Sequence, residues 1–409
     1  VTAPAVPIPL YQTRQPFYVP AFEVKVAGAP MPRSVVRDVI EVTYDDSVDK
    51  VDGFTLQVNN WDATKRNAPY FGPSATHPEV FEPGAEVQLL MGYRGAADDL
   101  RTMVTGQLTS VDVELTETAA PRITVRGLNQ LDRFRRKQYT WAWPESGTGT
   151  IRDSDLAVAL AGPPDEGSGR PGLGPHVRVR TDRAAALKET GHDYVFMNNM
   201  YPVVFLMERA RRLGYTLVYE GLDTVTGDHQ LYFGPSDRLR DQVYLLEWGM
   251  SLVSLKAAFS MGRQVKKVTV LGWDRKAKKS ISESATLDAD CADLNPDLHR
   301  FAAVADREEV VAGEPIYTTG EAKQRAVNVL RDLNRQMVTV TGVTVGLPDL
   351  RAGRVVYLSK VDPRIDGRYF VTTTTHVLND MGYRTTFTAR REDDGRGASG
   401  GRGATGGAR

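Results

Sequence analysis

The sequence predicts a mainly β protein of the α+β class, with two antiparallel β units flanking a mixed α+β middle region. Three observations carry this. Short apolar-polar alternations recur over residues 22–126 and again over 338–390, with Gly, Pro, Asn and Asp between the runs. A helical period replaces them at 202–213 and at 320–337. The 409 residues, 41% hydrophobic and 25% charged, suffice for two or three cores and exclude a collagenous, coiled-coil or wholly disordered chain.

Residues 1–21, with Pro4, Pro7, Pro9, Pro16 and Pro20, carry neither period and read as an extended N-terminal arm. The first β unit, 22–135, has alternating runs at 22–26, 39–44, 53–58, 86–91, 103–113 and 122–126, the spacing of an antiparallel barrel or sandwich. The middle region, 136–304, opens with a short helix over 153–160 behind a good capping residue. A loop follows at 162–174, too rich in Gly and Pro for regular structure and mobile by its composition. In the helix at 202–213, Val203, Leu206, Met207 and Ala210 share one face, while Glu208, Arg209, Arg211 and Arg212 lie off it. Gly214 stands at its C-cap, and strands resume at 215–219, 231–233, 243–248 and 264–273. The second β unit, 305–392, starts with the helix at 320–337 and continues as strands at 338–345, 354–359, 368–378 and 383–390. Residues 393–409 are Gly, Arg, Ser and Ala without an apolar anchor, a flexible tail or a linker to a spike.

Acids and bases balance at 51 each, so no global field draws the chain to nucleic acid or an anionic membrane. The bases comprise 38 Arg and 13 Lys, a supply of forked donors for interfaces that a GC-rich genome would also produce. The single cysteine, Cys291, excludes an intramolecular disulfide and a Cys-based zinc site. No apolar run is long enough to span a bilayer, no signal peptide is evident, and cytoplasmic synthesis fits. The chain begins at Val1 rather than Met, so its ends are not taken as those of a gene product.

No chemical motif emerges. His77, His176, His192, His229, His299 and His376 are scattered, and only His376, inside an alternating run, merits inspection. There is no Gly-x-Ser-x-Gly elbow, and the glycines of 167–174 lack the ending of a phosphate loop. Asp45, Asp46, Asp49 and Asp52 lack calcium-loop spacing and read as a solvated acidic turn. Two basic groups, Arg133, Arg135, Arg136 and Lys137, and Lys266, Lys267, Arg275, Lys276, Lys278 and Lys279, read as solvated turns, with a charged lumen or interface as the variant. Trp141 and Trp273 supply a hint of the aromatic stacking that a nucleic-acid surface requires. No catalytic, cofactor-binding or metal-ligating residue is assigned.

Several strings resemble the phage late-control protein D family: Asp46-Ser-Val-Asp-Lys-Val-Asp-Gly-Phe-Thr-Leu-Gln-Val58, Phe81-Glu-Pro-Gly-Ala-Glu-Val-Gln-Leu89, Val104-Thr-Gly-Gln-Leu-Thr-Ser-Val111 and Ile123-Thr-Val-Arg-Gly-Leu-Asn129. Further on, Phe205-Leu-Met-Glu-Arg-Ala-Arg-Arg-Leu-Gly-Tyr215, Trp248-Gly-Met-Ser-Leu252, Val265-Lys-Lys-Val-Thr-Val-Leu-Gly-Trp-Asp274, Leu350-Arg-Ala-Gly-Arg-Val-Val356 and Gly367-Arg-Tyr-Phe-Val371 extend the resemblance over most of 22–391. That family supplies the central hub of contractile-tail baseplates, and its relatives include the hub half of VgrG spikes in type VI secretion and extracellular injection systems.

The resemblance implies two tube-like β-barrel units and a non-enzymatic homotrimer that adapts a six-fold inner tube to a three-fold spike around a central channel. It implies as partners the tube or tube-initiator protein, a spike protein or fused spike domain, and baseplate wedge proteins. Nucleic acid enters only as cargo, and the chain does not insert into a membrane. The particle would be a phage virion or a contractile injection machine assembled from cytoplasmic protein. Gly84, Gly106, Gly127, Gly353 and Gly367 would serve turns and strand ends, and Trp248 and Trp273 would anchor packing. VgrG-type chains continue into a spike, so the spike here is either a separate protein or follows the tail. The alternatives are a baseplate cell-wall-degrading enzyme, which needs two carboxylates about 5 to 9.5 Å apart in a cleft, and a DNA-binding protein.

Overall fold

The computed structural model describes residues 8–10, 19–72, 75–95, 100–116, 120–135, 137–223, 226–236, 243–260, 264–291 and 306–391. Most of the N-terminal arm, His299, Arg136 and the tail 393–409 lie outside the described residues. The protein is mainly β with helices, as the sequence pattern requires.

The first unit contains β1 (Pro20–Val26), α1 (Arg33–Asp38), β2 (Val39–Ser47), β3 (Gly53–Asn59), β4 (Glu86–Tyr93), β5 (Leu100–Glu114) and β6 (Arg122–Asn129). Alternation places Val42 and Tyr44 of β2, and Phe54, Leu56 and Val58 of β3, in one core with Leu89, Met91, Ile123 and Val125. The middle region contains β7 (Tyr139–Trp143), α2 (Asp153–Ala159), β8 (Val177–Thr181), β9 (Val195–Met200), α3 (Pro202–Leu213), β10 (Thr216–Leu222) and β11 (His229–Gly234). Its separate core packs Leu156, Val203, Phe205 and Leu206 against Leu231 and Phe233. Gly214 ends α3 with a left-handed φ of 68°, a conformation glycine adopts without a Cβ penalty.

The last part contains β12 (Val243–Glu247), β13 (Leu252–Phe259), β14 (Lys267–Asp274), β15 (Lys279–Thr286), β16 (Glu308–Val311), α4 (Thr319–Arg335), β17 (Val338–Val345), β18 (Val355–Ser359), β19 (Gly367–Asn379) and β20 (Gly382–Arg391). The Thr318 side chain caps α4 by accepting from the Glu321 amide at 3.2 Å, and the Glu321 carboxylate accepts from the Tyr317 amide at 3.1 Å. The expected bounds 136–304 place 243–259 in the middle region, yet β12 pairs with β18 and β13, a strand not expected from the sequence, with β17, so both join the sheet of the second unit.

Both units belong to one fourteen-stranded sheet, and their topologies repeat. The first runs β1-β4-β5-β6-β3-β2 and the second β12-β18-β19-β20-β17-β13. Irregularities recur at matching places: between Val39 and Glu41 of β2 and between Leu252 and Ser254 of β13, then between Leu108 and Ser110 of β5 and between Val371 and Thr373 of β19. The turns match too, since the Gly84 amide donates to Leu108 O at 2.7 Å and the Gly353 amide to Val371 O at 2.9 Å. The duplication stops at the flanking strands, because β1 runs antiparallel to β4 and β12 parallel to β18. Beyond its irregularity β19 pairs with β2, from Thr373↔Ser47 to Leu378↔Val42, and this joint fuses the two units.

Five expectations are corrected. Trp248 and Trp273 are 50% and 53% exposed, because Trp248 sits in the turn after β12 and Trp273 on the outward face of β14, whose Val268 and Val270 fill the core. Gly84, Gly353 and Gly367 have positive φ, but Gly106 and Gly127 are mid-strand and serve close approach. Arg209 is buried although it lies off the apolar face of α3. Asp153 directs its side chain to His192 and Arg209 instead of capping α2. The loop at 162–174 closes through an Asp165–Arg170 bridge, with residues 171–174 buried.

A Cβ on Gly106 would lie 1.8 Å from the Leu128 carbonyl oxygen, so β5 and β6 cannot accept one without moving apart. Gly106→Ala is expected to lower stability by at least about 1 to 3 kcal/mol. Urea unfolding followed by tryptophan fluorescence measures it, and an unchanged midpoint contradicts the close-approach reading.

Candidate functional site

The β2–β19 joint is also where polar side chains gather. Arg351, in the turn before β18, sends its Nε to Asp46 Oδ2 at 2.7 Å and its Nη2 to Met103 O at 3.0 Å and to the Tyr44 hydroxyl. Its guanidinium also lies 4.6 Å from the Tyr44 ring centroid. Asp46 accepts in addition from the Ala352 amide at 2.9 Å. A second carboxylate, Asp52, accepts from Asn129 Nδ2 at 2.8 Å and from the Ser47 amide at 3.2 Å. Burial first, and the neighbouring Asp46 second, push Asp52 well above the usual carboxylate range. The same acidic charges keep Arg351 firmly protonated despite the desolvation it suffers.

His376 lies on the same stretch of β19 and is fully buried. Its Nε2 faces the Leu350 carbonyl at 3.0 Å, so Nε2 carries the proton and donates. Nδ1 then accepts from the hydroxyls of Tyr383 at 2.9 Å and Thr385 at 3.1 Å. Burial, reinforced by Arg351, lowers its pKa to about 3. The residue singled out from the sequence is therefore a satisfied neutral core histidine. The expected solvated acidic turn is corrected at two of its four residues: Asp46 and Asp52 are 8% and 5% exposed and act as internal acceptors, while Asp45 and Asp49 are exposed. Arg351 was missed; the sequence signal was the string around Gly353, which occupies the place that Gly84 holds in the first unit.

A cleft of about 330 Å³ opens beside Arg351, bounded by β5, β10 and the turn at 348–354. Its carboxylates are tied to arginines: Asp46 to Arg351, Asp349 to Arg101 at 3.5 Å and Glu220 to Arg180. A second buried network joins the middle region to α4. There Arg209 holds Asp153, His192 Nε2 lies 3.2 Å from Asp153, and His192 Nδ1 lies 3.6 Å from Glu321. Hydrogen bonds and charges from His192 and Arg209 outweigh burial and lower the Asp153 pKa. Four members of the basic groups face acids, Lys266 facing Asp306, Lys267 Glu308, Lys276 Asp193 and Arg135 Asp132, while Lys137 and Arg275 lie over the rings of Tyr139 and Tyr317. Among the described residues no group of three or more His, Cys, Asp or Glu is placed to hold a metal ion, and no helix is long and apolar enough to cross a membrane.

With this geometry the chain compares closely with solved structures. The 43 kDa tail protein of prophage MuSo2 from Shewanella oneidensis matches 92% of this chain and 99% of its own, at 14% identity and a TM-score of 0.64. A tail protein from Neisseria meningitidis MC58 matches 92% and 98%, at 14% identity and a TM-score of 0.61. The chain shares its fold with phage tail proteins. The E. coli c3393 protein, a type VI secretion component described as structurally similar to the T4 tail proteins gp27 and gp5, matches 91% of this chain and 78% of its own, at 10% identity and a TM-score of 0.51. A family model described as the Alg8 N-terminal domain matches residues 205–380. That span is under half of the chain, starts inside α3 and ends in the turn between β19 and β20, so it corresponds to no unit of this fold. No curated protein matches.

Arg351→Ala leaves Asp46 buried without its counter-charge and is expected to cost about 3 kcal/mol. That is the lower end for a broken buried pair, because 22% of the Arg351 side chain is accessible. A drop under about 1 kcal/mol in chemical denaturation contradicts the assignment. His376 adds a pH signature. The unfolded imidazole binds a proton near pH 6.5 but the folded one only near 3, so stability is lost as pH falls through that window. Asp52 works in the opposite sense, and comparison with His376→Gln separates the two. The stability advantage of the native chain over His376→Gln is expected to shrink between pH 6.5 and 4, by up to about 1.4 kcal/mol per unit. A constant difference contradicts the neutral-histidine reading.

Proposed function

We propose that the protein is a structural baseplate hub of a contractile tail or injection system, non-enzymatic and homotrimeric. The observation that carries this is the internal duplication, two β units of repeated topology fused edge to edge in one chain. Three copies present six such units, which matches a six-fold inner tube to a three-fold spike and leaves a central channel. The shared fold with phage tail proteins and with a type VI secretion component supports the same reading. Its partners are then the tube or tube-initiator protein, the spike and the baseplate wedge, with nucleic acid or protein passing as cargo, and its place is a virion or an injection particle.

The charge arrangement favours this role over the alternatives. Carboxylates that line the cleft are held by arginines, whereas a cell-wall hydrolase keeps one carboxyl protonated opposite a free carboxylate. Acids and bases balance at 51 each over the chain, and Lys266, Lys267 and Lys276 stand against carboxylates, so no net field draws the protein onto DNA.

Light scattering of the purified full chain at high concentration tests the oligomer directly, and a mass of three chains is expected. A chain that is monomeric at every concentration and also within the particle refutes the hub.

A further inference from the structure

The middle region is attached to the rest of the chain differently from the way the two units are attached to each other. None of its named strands pairs with the fourteen-stranded sheet: β8, β11 and β10 form one small sheet, and β9 and β7 another. Its core takes in Leu131 and Phe134 from the entering chain and packs against Val51. It includes no described residue of α4, whose Ala322, Ala326 and Leu330 belong to the core of the second unit. Apolar contact across the seam gathers in one small cluster, Tyr232 with Val355 and Phe370, flanked by Val48, Val218 and Tyr357.

Away from that cluster the seam consists of open space and polar contacts. Besides the cleft near Arg351, walled by β10, a cavity of about 200 Å³ lies between residues 214–217 and Phe370 and Thr372, and one of about 340 Å³ between residues 184–189 and α4. Next to them α4 holds the end of α3 by side chains. Arg325 Nη1 donates to the Arg211 and Arg212 carbonyls at 3.4 and 3.5 Å, and Asn328 Nδ2 donates to the Arg212 carbonyl at 2.9 Å. Such carbonyls are the ones a helix end leaves without a partner in the helix. Glu314 grips the Arg325 guanidinium at 2.9 and 2.7 Å and so aims it. His192 Nδ1 lies 3.6 Å from Glu321, and Lys276 pairs with Asp193 at 2.6 Å across the same seam.

We propose that the middle region is a hinged flap, which pivots on the Tyr232 cluster and opens at the clasp between α3 and α4. The inference concerns a single chain and does not depend on the trimer reading. Polar contacts beside space large enough for water exchange for water with little net loss, whereas the apolar contact at the pivot does not. Relative motion is the expectation for two bodies that share a small, polar surface. Opening carries β10 away from the cleft beside Arg351, while the β2–β19 joint, a ladder of backbone hydrogen bonds, stays fixed. The fused sheet is then the rigid part of the chain, and the middle region is the part that adjusts to a neighbour.

The test places spin labels on Leu187→Cys and Gln324→Cys, exposed positions flanking the larger cavity, in the full chain diluted with unlabelled chain so that distances within one copy are read. The native Cys291 is buried in the core of the second unit and stays unlabelled. Pulsed electron spin resonance is expected to show two distances, and Arg325→Ala to raise the ratio of the longer to the shorter roughly tenfold. A second measurement leaves the clasp intact. Ser236→Cys, at a position 1% exposed beside the same cavity, is expected to react with a thiol reagent under native conditions far faster than Cys291, which global unfolding alone exposes. A single distance in the native chain, or a Ser236→Cys rate no faster than that of Cys291, overturns the flap.

Discussion

The architecture depends on one antiparallel joint, the pairing of β19 with β2, and on the Arg351–Asp46 contact that locks it. Sheet edges expose unsatisfied backbone groups, and two separate open sheets in one chain would carry four of them. Fusing one edge of each unit satisfies the backbone there and fixes the relative placement of the units. Arg351 then reaches from the second unit to Tyr44, Asp46 and Met103 of the first. A forked, permanently charged side chain suits a place where three acceptors converge, and lysine, a single point charge, does not.

The duplication explains why buried polar groups concentrate at the joint. The same backbone pattern occurs in both units, but the residues at the seam have diverged. In the first unit Glu82 precedes the turn at Gly84, and in the second Arg351 precedes the turn at Gly353. Asp52, Asn129, His376 and Tyr383 fill the remaining hydrogen-bond positions around it. A partly satisfied network in such a place would cost several kcal/mol, so its completeness is a condition for the fusion.

Much of the fold was legible from local pattern. Half-buried strands alternate strictly, so β3, β6 and β17 emerge from the apolar spacing, and α3 with its Gly214 cap from the helical period. Strands such as β13 and β15 escaped, because β13 is an edge strand with a mostly exposed pattern and β15 buries only Ile281 and Ala285. The joint was not legible, since strand pairing between residues more than three hundred positions apart leaves no local trace. Asp46 and Asp52 looked like solvated turn residues because acidic clusters usually are; their burial follows from Arg351 and Asn129, which the chain brings in from far away. Tryptophan hydrophobicity misled in the other direction at Trp248 and Trp273, where the turn and the strand face decide exposure.

If six β units from three chains surround a passage, electron microscopy of the purified full chain is the most direct measurement of that claim. The account predicts class averages of a closed ring with a central channel, three chains, and six similar lobes related by approximate six-fold symmetry. A compact particle without a channel, or a ring built from another number of chains, would contradict it.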